Sequence, residues 1–447
     1  MRKILLTFTV ICAAAMSATF AQLTLDGQFR PRAEFRNGFK KPTLENDDPA
    51  FFIEQRTRLN VGFKADKFRT KLALQDVRIW GEVGQINKTD GLFSVHEAYG
   101  DYLFNAKTYL RIGRQELVYD DHRVLGSLNW AAQGRSHDAL RFVKQDSLWE
   151  FHAAVTWNQD NRPAEPAKLQ GTNANAYTTA QGAYANGEIN TVFQLANPKS
   201  TQFMWFKYMM GKSNVSVLAL NDVVQTTDST THGRQLIGIN PTMVAGKIKV
   251  AGSFYYQFGK ANDSVNYGGL LASLNATYTG GKTIIPTIGF DYLSGEDAST
   301  GDRIETFNPL YGTHHKFYGL MDYFYVGNGH GNKGLLDVYV KAVIKTKGKA
   351  KFLAHLHQFM AAADVNDPVD GTKMMSKSLG TEIDLVYVQP LAKGVVLKAG
   401  YSQMISTETM SVIKGQGSVD ANNSYDPGTT GFNGWAWVMI NFAPKFL

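Results

Sequence analysis

The feature that most constrains this chain is an alternation of polar and apolar residues near its start. Residues 22–36 read QLTLDGQFRPRAEFR, in which every even position is polar and every odd position is apolar or small. A period of two places one set of side chains on each face of a β-strand. Strands of soluble proteins usually run about 5–6 residues, whereas a strand that crosses a bilayer needs about 9–11. The stretch therefore predicts a membrane-spanning strand.

The same alternation recurs along the chain, and the connections between the alternating segments differ regularly in length. Residues 147–158 and 247–260 repeat the pattern most clearly. Short connections lie at 64–67, 144–147, 211–214, 279–282, 345–349 and 391–394, and long ones lie at 37–51, 159–200, 295–331, 364–377 and 407–430. This predicts an all-β fold, a transmembrane antiparallel β-barrel with short periplasmic turns and long extracellular loops.

We predict about eighteen strands, because such a barrel normally has both termini on the periplasmic side and so an even strand count. A nineteenth alternating stretch, 315–326, is assigned to the long loop 295–331 for the same reason. An interior of this size is wide enough for an aqueous channel. The predicted strands are 22–36, 52–65, 67–80, 94–106, 108–118, 134–143, 147–158, 201–211, 213–223, 233–243, 246–259, 267–279, 282–294, 334–346, 349–363, 378–391, 394–406 and 432–446.

The first residues predict export from the cytoplasm. A basic start (Arg2 and Lys3), an apolar run over 4–18 and small residues before position 22 indicate a cleaved signal peptide, 1–21. The remainder, 22–447, is predicted to be one outer-membrane barrel domain of a Gram-negative cell. The only cysteine, Cys12, lies in the signal peptide, which excludes thiol catalysis and cysteine metal clusters in the mature chain. No cofactor is expected.

Charged residues on the strands need water or a partner, because an outward arginine costs about 2–4 kcal/mol at the bilayer midplane. We therefore expect the basic phase of the strands to face the lumen, where carboxylates would share the lining. One of Arg111 and Arg114, which have opposite parity, must be accommodated by a bulge or a strand end. The arginines expected to line the pore include Arg30, Arg32, Arg56, Arg58, Arg69, Arg78, Arg135 and Arg141, together with Lys71.

Several longer motifs resemble those of the bacterial alginate-export family of outer-membrane barrels. They are LQDVRIWGE (74–82), IGRQELVYDDHRVLGSLNWAAQGRSHDALRF (112–142), FDYLSGED (290–297), ETFNPLYGTHHKFYGLMDYF (305–324) and LGTEIDLVY (379–387). The resemblance implies an eighteen-stranded monomeric barrel with an arginine-rich pore for anionic polysaccharide. By motif match it assigns pore or loop-base positions to Arg78, Arg114, Gln115, Arg123, Arg135 and Asp138.

The sequence thus predicts an outer-membrane porin whose arginine-lined pore weakly favours anions. Expected partners are outer-membrane lipid and anionic small solutes or uronate-type saccharides. Nucleic acid is not expected, since the basic residues are spread over many strands. Two alternatives stay open: a lipase-type outer-membrane enzyme and a structural or adhesive barrel without transport. For a metal at His314, His315 and His330, no standard ligand spacing is present.

Overall fold

The computed structural model describes residues 22–86, 93–158, 198–225, 231–297, 302–326 and 330–447. Among these residues, eighteen long strands form one closed sheet. Four further strands of two residues each lie in the loops. The barrel strands are β1 (Gln22–Asn37), β2 (Ala50–Lys64), β3 (Phe68–Ile79), β4 (Phe93–Asn105), β5 (Thr108–Gln115), β6 (His137–Gln145), β7 (Trp149–Trp157), β8 (Ser200–Met210), β9 (Ser213–Gln225), β10 (Thr231–Ala245), β11 (Ile248–Lys260), β12 (Leu270–Tyr278), β13 (Ile284–Leu293), β14 (Leu335–Lys345), β15 (Lys351–Met360), β16 (Ser378–Ala392), β17 (Val395–Ser406) and β18 (Asn433–Phe442).

Each strand pairs antiparallel with its sequence neighbours, and β1 closes the barrel against β18. Along this seam Phe29 pairs with Phe442 and Arg32 with Met439, and the ladder lapses between them. Pro31 lies in that gap. Because proline has no N–H to donate to a ladder, an interruption at the closing seam is a position where it is tolerated.

The faces of the strands follow the predicted alternation. On β1, Leu23 and Phe35 are exposed on the outer surface, whereas Arg30, Arg32 and Glu34 are buried on the inner side. The opposite polarity of the two faces is what a barrel in lipid requires: apolar side chains contact hydrocarbon, and charged ones face the interior.

The predicted alternation of short turns and long loops is confirmed. The turns after even-numbered strands are short, and most connections after odd-numbered strands are longer, including 116–136, 294–334 and 407–432. The extra alternating stretch 315–326 is a loop, as predicted, and it follows a short 3₁₀ turn at His314–Lys316. A one-turn helix, α1 (Glu408–Ile413), lies in the last loop. No helix in the described ranges is long and apolar enough to cross a bilayer.

Two of the long connections fold back into the barrel and give it a packed interior. We call residues 116–136 the first lumen loop and residues 302–326 the second lumen loop. Leu117 and Leu125 of the first loop and Tyr318 and Phe324 of the second are almost fully buried in one apolar cluster with inward-facing strand residues. A backbone hydrogen bond also joins the two loops: the N–H of Gly126 donates to the carbonyl oxygen of Tyr311 at 3.0 Å. The loops therefore shape the lumen as much as the strands do.

Replacing an outward residue by arginine tests the assignment of faces. Ile239 is 44% exposed in the middle of β10. We expect Ile239→Arg to lower the free energy of unfolding in lipid vesicles by about 2–4 kcal/mol. The control is Thr242→Arg on the inner face of the same strand, with a loss less than half as large. Equal losses in equilibrium denaturation would contradict the assignment.

Candidate pore and its lumen loops

Three arginines of β1 and β2 hold the first lumen loop inside the barrel through its main-chain carbonyl oxygens. The guanidinium of Arg30 donates to the carbonyls of Asn129 at 2.7 Å and Trp130 at 3.1 Å. Arg32 donates to the Trp130 carbonyl at 2.7 Å. Arg56 donates to the Ala132 carbonyl at 3.2 Å. These buried guanidinium groups thus obtain partners from the loop rather than from water.

The pairing of β1 with β2 makes these partners necessary. Arg30 and Arg56 are directly opposite each other in the ladder, and like charges at such positions destabilise a sheet. Arg56 is only 1% exposed, so water cannot solvate it. Its remaining donors bind Gln28 Oε1 at 2.9 Å and Asn129 Oδ1 at 2.8 Å. Neutral oxygen dipoles stabilise the charge but leave it positive.

An aromatic cluster joins both lumen loops to the seam of the barrel. The guanidinium of Arg32 lies 4.1 Å from the ring centroid of Trp130. On the second lumen loop, His315 stacks on Trp130 with ring centroids 4.4 Å apart and an interplanar angle of 12°. Trp435 of β18 packs edge-on against Trp130 and donates its indole N–H to Glu34 at 2.9 Å. Release of either loop would therefore expose rings of the other.

The far side of the first lumen loop is held by Asp120. Its carboxylate accepts hydrogen bonds from Trp205 Nε1 at 3.0 Å, Ser216 Oγ at 2.5 Å and Asn240 Nδ2 at 3.2 Å. Burial raises the pKa of Asp120 from its ordinary value. These three donors lie on β8, β9 and β10, across the barrel from β1 and β2. The loop thus spans the lumen between a wall of arginines and a wall of neutral donors.

The second lumen loop is fixed by charges of the opposite kind. Glu382 of β16 accepts the backbone N–H groups of Leu320 at 2.5 Å and Met321 at 2.9 Å. Arg123, on the first loop, bonds Asp291 of β13 at 2.7 Å and the Tyr318 hydroxyl at 3.1 Å. A side chain at position 319 would collide with Glu382, so glycine permits this close approach.

A basic wall continues over the inner face of β2 to β6. Asp101 receives two arginines, Arg69 and Arg111, and the guanidinium of Arg111 lies 3.7 Å from the ring centroid of Tyr99. Arg141 faces Arg111 directly in the β5–β6 ladder. Lys71 pairs with Glu97, and Arg58 bonds the amide oxygen of Gln75 at 2.6 Å. Positive groups therefore outnumber the carboxylates that pair with them on this wall.

Three residues expected at the pore or loop bases lie instead on the outer face of the barrel. On β3 the odd positions, including Ala73 and Gln75, face inward, which turns Arg78 outward beside Asp76 at 2.7 Å. Arg114 and Asp138 are cross-strand partners, 3.0 Å apart. Both share the parity of exposed lipid-facing residues on their strands, Ile112 on β5 and Leu140 on β6.

The position of these outward pairs explains how they are tolerated. Arg78, Arg114 and Asp138 lie at the long-loop ends of β3, β5 and β6, at the level of polar headgroups rather than hydrocarbon. Hydrogen bonds between side-chain amides run from Gln202 through Asn221 to Gln235 at the same level on β8 to β10. No bulge is needed in the β5–β6 ladder, because Arg111 points in and Arg114 points out near the strand end.

The remaining predicted residues, Gln115, Arg135 and Arg123, are bonded to other parts of the protein. Gln115 is fully buried and donates to the carbonyls of Gly113 and Ala139 at 3.1 and 3.0 Å, which ties β5 to β6. Arg135 lies in the first lumen loop, since β6 begins at His137 rather than at 134, and it donates to the Gly312 carbonyl at 3.1 Å. Arg123 is a loop residue with the partners given above.

Two of the three histidines considered for a metal, His314 and His315, have other partners. His314 Nδ1 lies 2.5 Å from the Tyr325 carbonyl, and His315 Nδ1 lies 2.7 Å from Asp322. The anchors Asp120 and Glu382 were not anticipated as a pair of functional groups. The only sequence signal for them is that each is an acid within a motif of the family resemblance, Asp120 in 112–142 and Glu382 in 379–387.

The closed eighteen-stranded sheet with an apolar exterior and a charged interior defines an outer-membrane β-barrel of the channel-forming class. The profile of a family described as Alginate export matches residues 21–422. The chain therefore belongs to the alginate-export family, and its location is the Gram-negative outer membrane. No curated protein sequence matches the chain significantly.

Solved structures of similar fold are outer-membrane proteins. OccAB4 of Acinetobacter baumannii is 11% identical, with a TM-score of 0.58 over 96% of this chain and 100% of that chain. OccK9 (OpdG) of Pseudomonas aeruginosa is 8% identical, with a TM-score of 0.58 over 95% and 99%. The P. aeruginosa outer membrane protein opdK is 7% identical, with a TM-score of 0.55 over 94% and 99%. At these identities the likeness concerns the fold.

The arginine–carbonyl contacts predict how the first lumen loop responds to mutation. Hydrogen bonds to charged groups contribute about 1.5–3 kcal/mol, so Arg56→Met should speed amide exchange in residues 126–134 roughly tenfold to a hundredfold. Hydrogen exchange in lipid discs measures this. The control is Arg69→Met, which removes a lumen arginine that bonds Asp101 and no loop carbonyl. Unchanged exchange in Arg56→Met would contradict the anchoring.

Buried histidines predict that the second lumen loop loosens in acid. Burial lowers the pKa of His314 to about 4 and that of neighbouring His330 to about 3. A released histidine titrates near its ordinary pKa, so release takes up protons, and docking weakens as pH falls below about 6.5. Single-channel recordings should show more frequent current transitions at about pH 5 than at about pH 7.5.

The control for this acid effect is the double variant His314→Gln, His330→Gln. Glutamine keeps the size and hydrogen-bonding capacity of these sites but does not titrate. The difference between the two pH values should shrink in this variant. If wild type and double variant respond equally to acid, the effect arises elsewhere in the protein.

Proposed function

We propose that this protein is an outer-membrane channel whose lumen weakly favours anions. The observation that supports the proposal best is a set of buried or half-buried arginines without a carboxylate partner. Within the residues that the structure describes, no ion pair is formed by Arg30, Arg56, Arg58, Arg135 or Arg141. Bonds to carbonyl and amide oxygens hold the guanidinium groups of Arg30, Arg56, Arg58 and Arg135 in place while their charges remain without an ion-pair partner.

The preference is weak because the opposite wall carries acids. Asp222 and Asp291 are buried there and pair with Arg234 and Arg123 at 3.3 and 2.7 Å. A solute in the lumen therefore meets a field directed from one wall to the other, with a net excess of positive charge on the side of β1 to β6. Low-dielectric walls focus such a field along the pore.

Membership of the alginate-export family directs the proposal towards uronate-type saccharides. Guanidinium groups bind carboxylates in two-point contacts. Arg58, a half-buried lumen arginine that forms no ion pair among the described residues, is the group that we propose for such a contact. We propose a monomer, as the family resemblance implies, and a single barrel domain over 22–447, whose sheet β1 and β18 close. The predicted signal peptide, 1–21, lies outside the described residues.

Selectivity in planar bilayers tests this function. In a salt gradient, wild type should give a reversal potential of the sign that marks anion preference. Arg58→Gln should reduce the anion-to-cation permeability ratio about fivefold, because a unit charge about 8 Å away in water stabilises an anion and destabilises a cation by about 0.5 kcal/mol each. The reversal potential would be measured over a series of salt concentrations.

The matched control is Arg114→Gln, which removes the same charge from the outer face. Its permeability ratio should equal that of wild type. Uronate oligosaccharides added to either side should shorten open times in wild type and do so less in Arg58→Gln. Clear cation selectivity of wild type, or equal effects of the two substitutions, would contradict the proposal.

A further inference from the structure

A second cluster of titratable groups lies on the inner face of β14 to β16, away from the arginine wall. His355 and His357 are two residues apart on β15 and so point to the same side of the sheet. They pair across the ladder with Asp384 and Glu382 of β16. Asp384 and His357 are fully buried, and His355 is mostly buried.

Three atoms of this cluster converge and lack hydrogen-bond partners. Among the described residues, His355 Nδ1, His357 Nε2 and Asp384 Oδ2 are buried and unsatisfied. Asp384 Oδ2 lies 3.8 Å from His355 Nδ1 and 3.9 Å from His357 Nε2, and all three atoms are within 4.8 Å of one another. A buried polar atom without a partner costs about 1–3 kcal/mol, so three at one point indicate a missing ligand.

The neighbours of these residues orient them through hydrogen bonds, as the hydrogen-bond partners of metal ligands do. His357 Nδ1 lies 2.8 Å from Asp337 Oδ2 of β14. With Asp337 as the acceptor, Nδ1 carries the proton and Nε2 presents its lone pair to the cluster. Ser402 Oγ of β17 donates to Asp384 Oδ1 at 2.5 Å, which leaves Oδ2 available.

Three carboxyl groups and one lysine lie around the cluster. Asp337, Glu382 and Asp384 are fully buried carboxyl groups. Among the described residues, neither lysine nor arginine forms an ion pair with any of them. The nearest base in the ladder, Lys341, stands opposite His355, with its ammonium 4.4 Å from the ring centroid of Tyr339. One divalent cation would satisfy the three open atoms that these groups surround.

We propose that His355, His357 and Asp384 form a binding site for a divalent first-row transition metal ion such as Zn²⁺. Two imidazole nitrogens and one carboxylate oxygen suit zinc, cobalt, nickel or copper ions better than calcium or magnesium ions. Zinc bonds of about 2.0–2.1 Å place tetrahedral ligand atoms about 3.3 Å apart. Binding therefore draws the three atoms closer by about 0.5–1.5 Å, and a fourth position stays available to water.

The ion would brace the wall of the barrel beside the second lumen loop. His355 and His357 come from β15 and Asp384 from β16, and Glu382, next to Asp384 on the inner face of β16, is the residue that holds Leu320 and Met321. This site is independent of the proposed anion preference, which rests on the arginines of β1 to β6. Each proposal can therefore fail without the other.

The test is titration of the refolded, metal-free mature chain in detergent with Co²⁺ and Zn²⁺. We expect one Co²⁺ per barrel with visible d–d absorption, displaced by one equivalent of Zn²⁺. His357→Ala should abolish this signal. Asp337→Asn, which removes only the orienting partner, should weaken binding roughly 10–100-fold. Sheet content by circular dichroism would verify that each variant has folded.

The matched control is His152→Gln on β7, a lumen histidine whose Nδ1 lies 3.0 Å from the Tyr119 hydroxyl. It should bind Co²⁺ as wild type does. Absence of binding by folded wild type, or equal binding by folded His357→Ala, would overturn the proposal. If His152→Gln alone lost the signal, the ion would belong to another part of the lumen and the assignment to β15 and β16 would be wrong.

Discussion

The structure depends on the solvation of guanidinium groups inside a closed wall. Arg30 and Arg56 face each other across the β1–β2 ladder, where neither lipid nor bulk water reaches them. They are stable there because a chain segment, residues 129–132, presents its carbonyl oxygens to them. The arginines of these strands thus need the carbonyl groups of the loop, and on this side of the barrel the loop is held in the lumen by those arginines.

This mutual requirement sets the form of the lumen. Carbonyl groups exposed by an irregular loop meet arginines on one side, and backbone N–H groups of the second lumen loop meet Glu382 on the other. Irregular backbone at membrane depth is tolerated where it is buried within protein. The positive charge on the side of β1 and β2 is a consequence of the anchoring, and the proposed anion preference rests on it.

Much of the fold was predictable because lipid imposes a simple rule. A side chain facing hydrocarbon must be apolar, so alternation marks both the strands and their faces, and the long strands lie within a few residues of the predicted segments. The same rule, applied strictly, would have placed Arg78 outside, since Arg69 and Lys71 on the same strand have the opposite parity. An outward Arg78 does not carry the free-energy cost of a charge in hydrocarbon, because it lies at the end of its strand, where outward charges lie among headgroups.

The lumen loops were not predictable by such a rule. Which connection folds inward depends on partners distant in sequence, as with Asp120 and its donors Trp205, Ser216 and Asn240. Nothing in the local sequence of residues 116–136 marks their carbonyl groups as ligands of arginine. The convergence of β15 with β16 at His355, His357 and Asp384 likewise becomes visible only once the register is known.

The most direct test of the anchored loop is a distance measurement in lipid bilayers. The only cysteine, Cys12, lies in the predicted signal peptide, so spin labels can be placed on cysteines introduced at Gln133, in the first lumen loop, and at Asp66, in the turn between β2 and β3. Pulsed electron paramagnetic resonance should give one narrow distribution of the distance between the labels at positions 133 and 66 in the wild-type background. The distribution should be broader and shifted to longer distances when Arg30 and Arg56 are both replaced by methionine. A broad distribution in both, or a narrow one in both, would contradict the account.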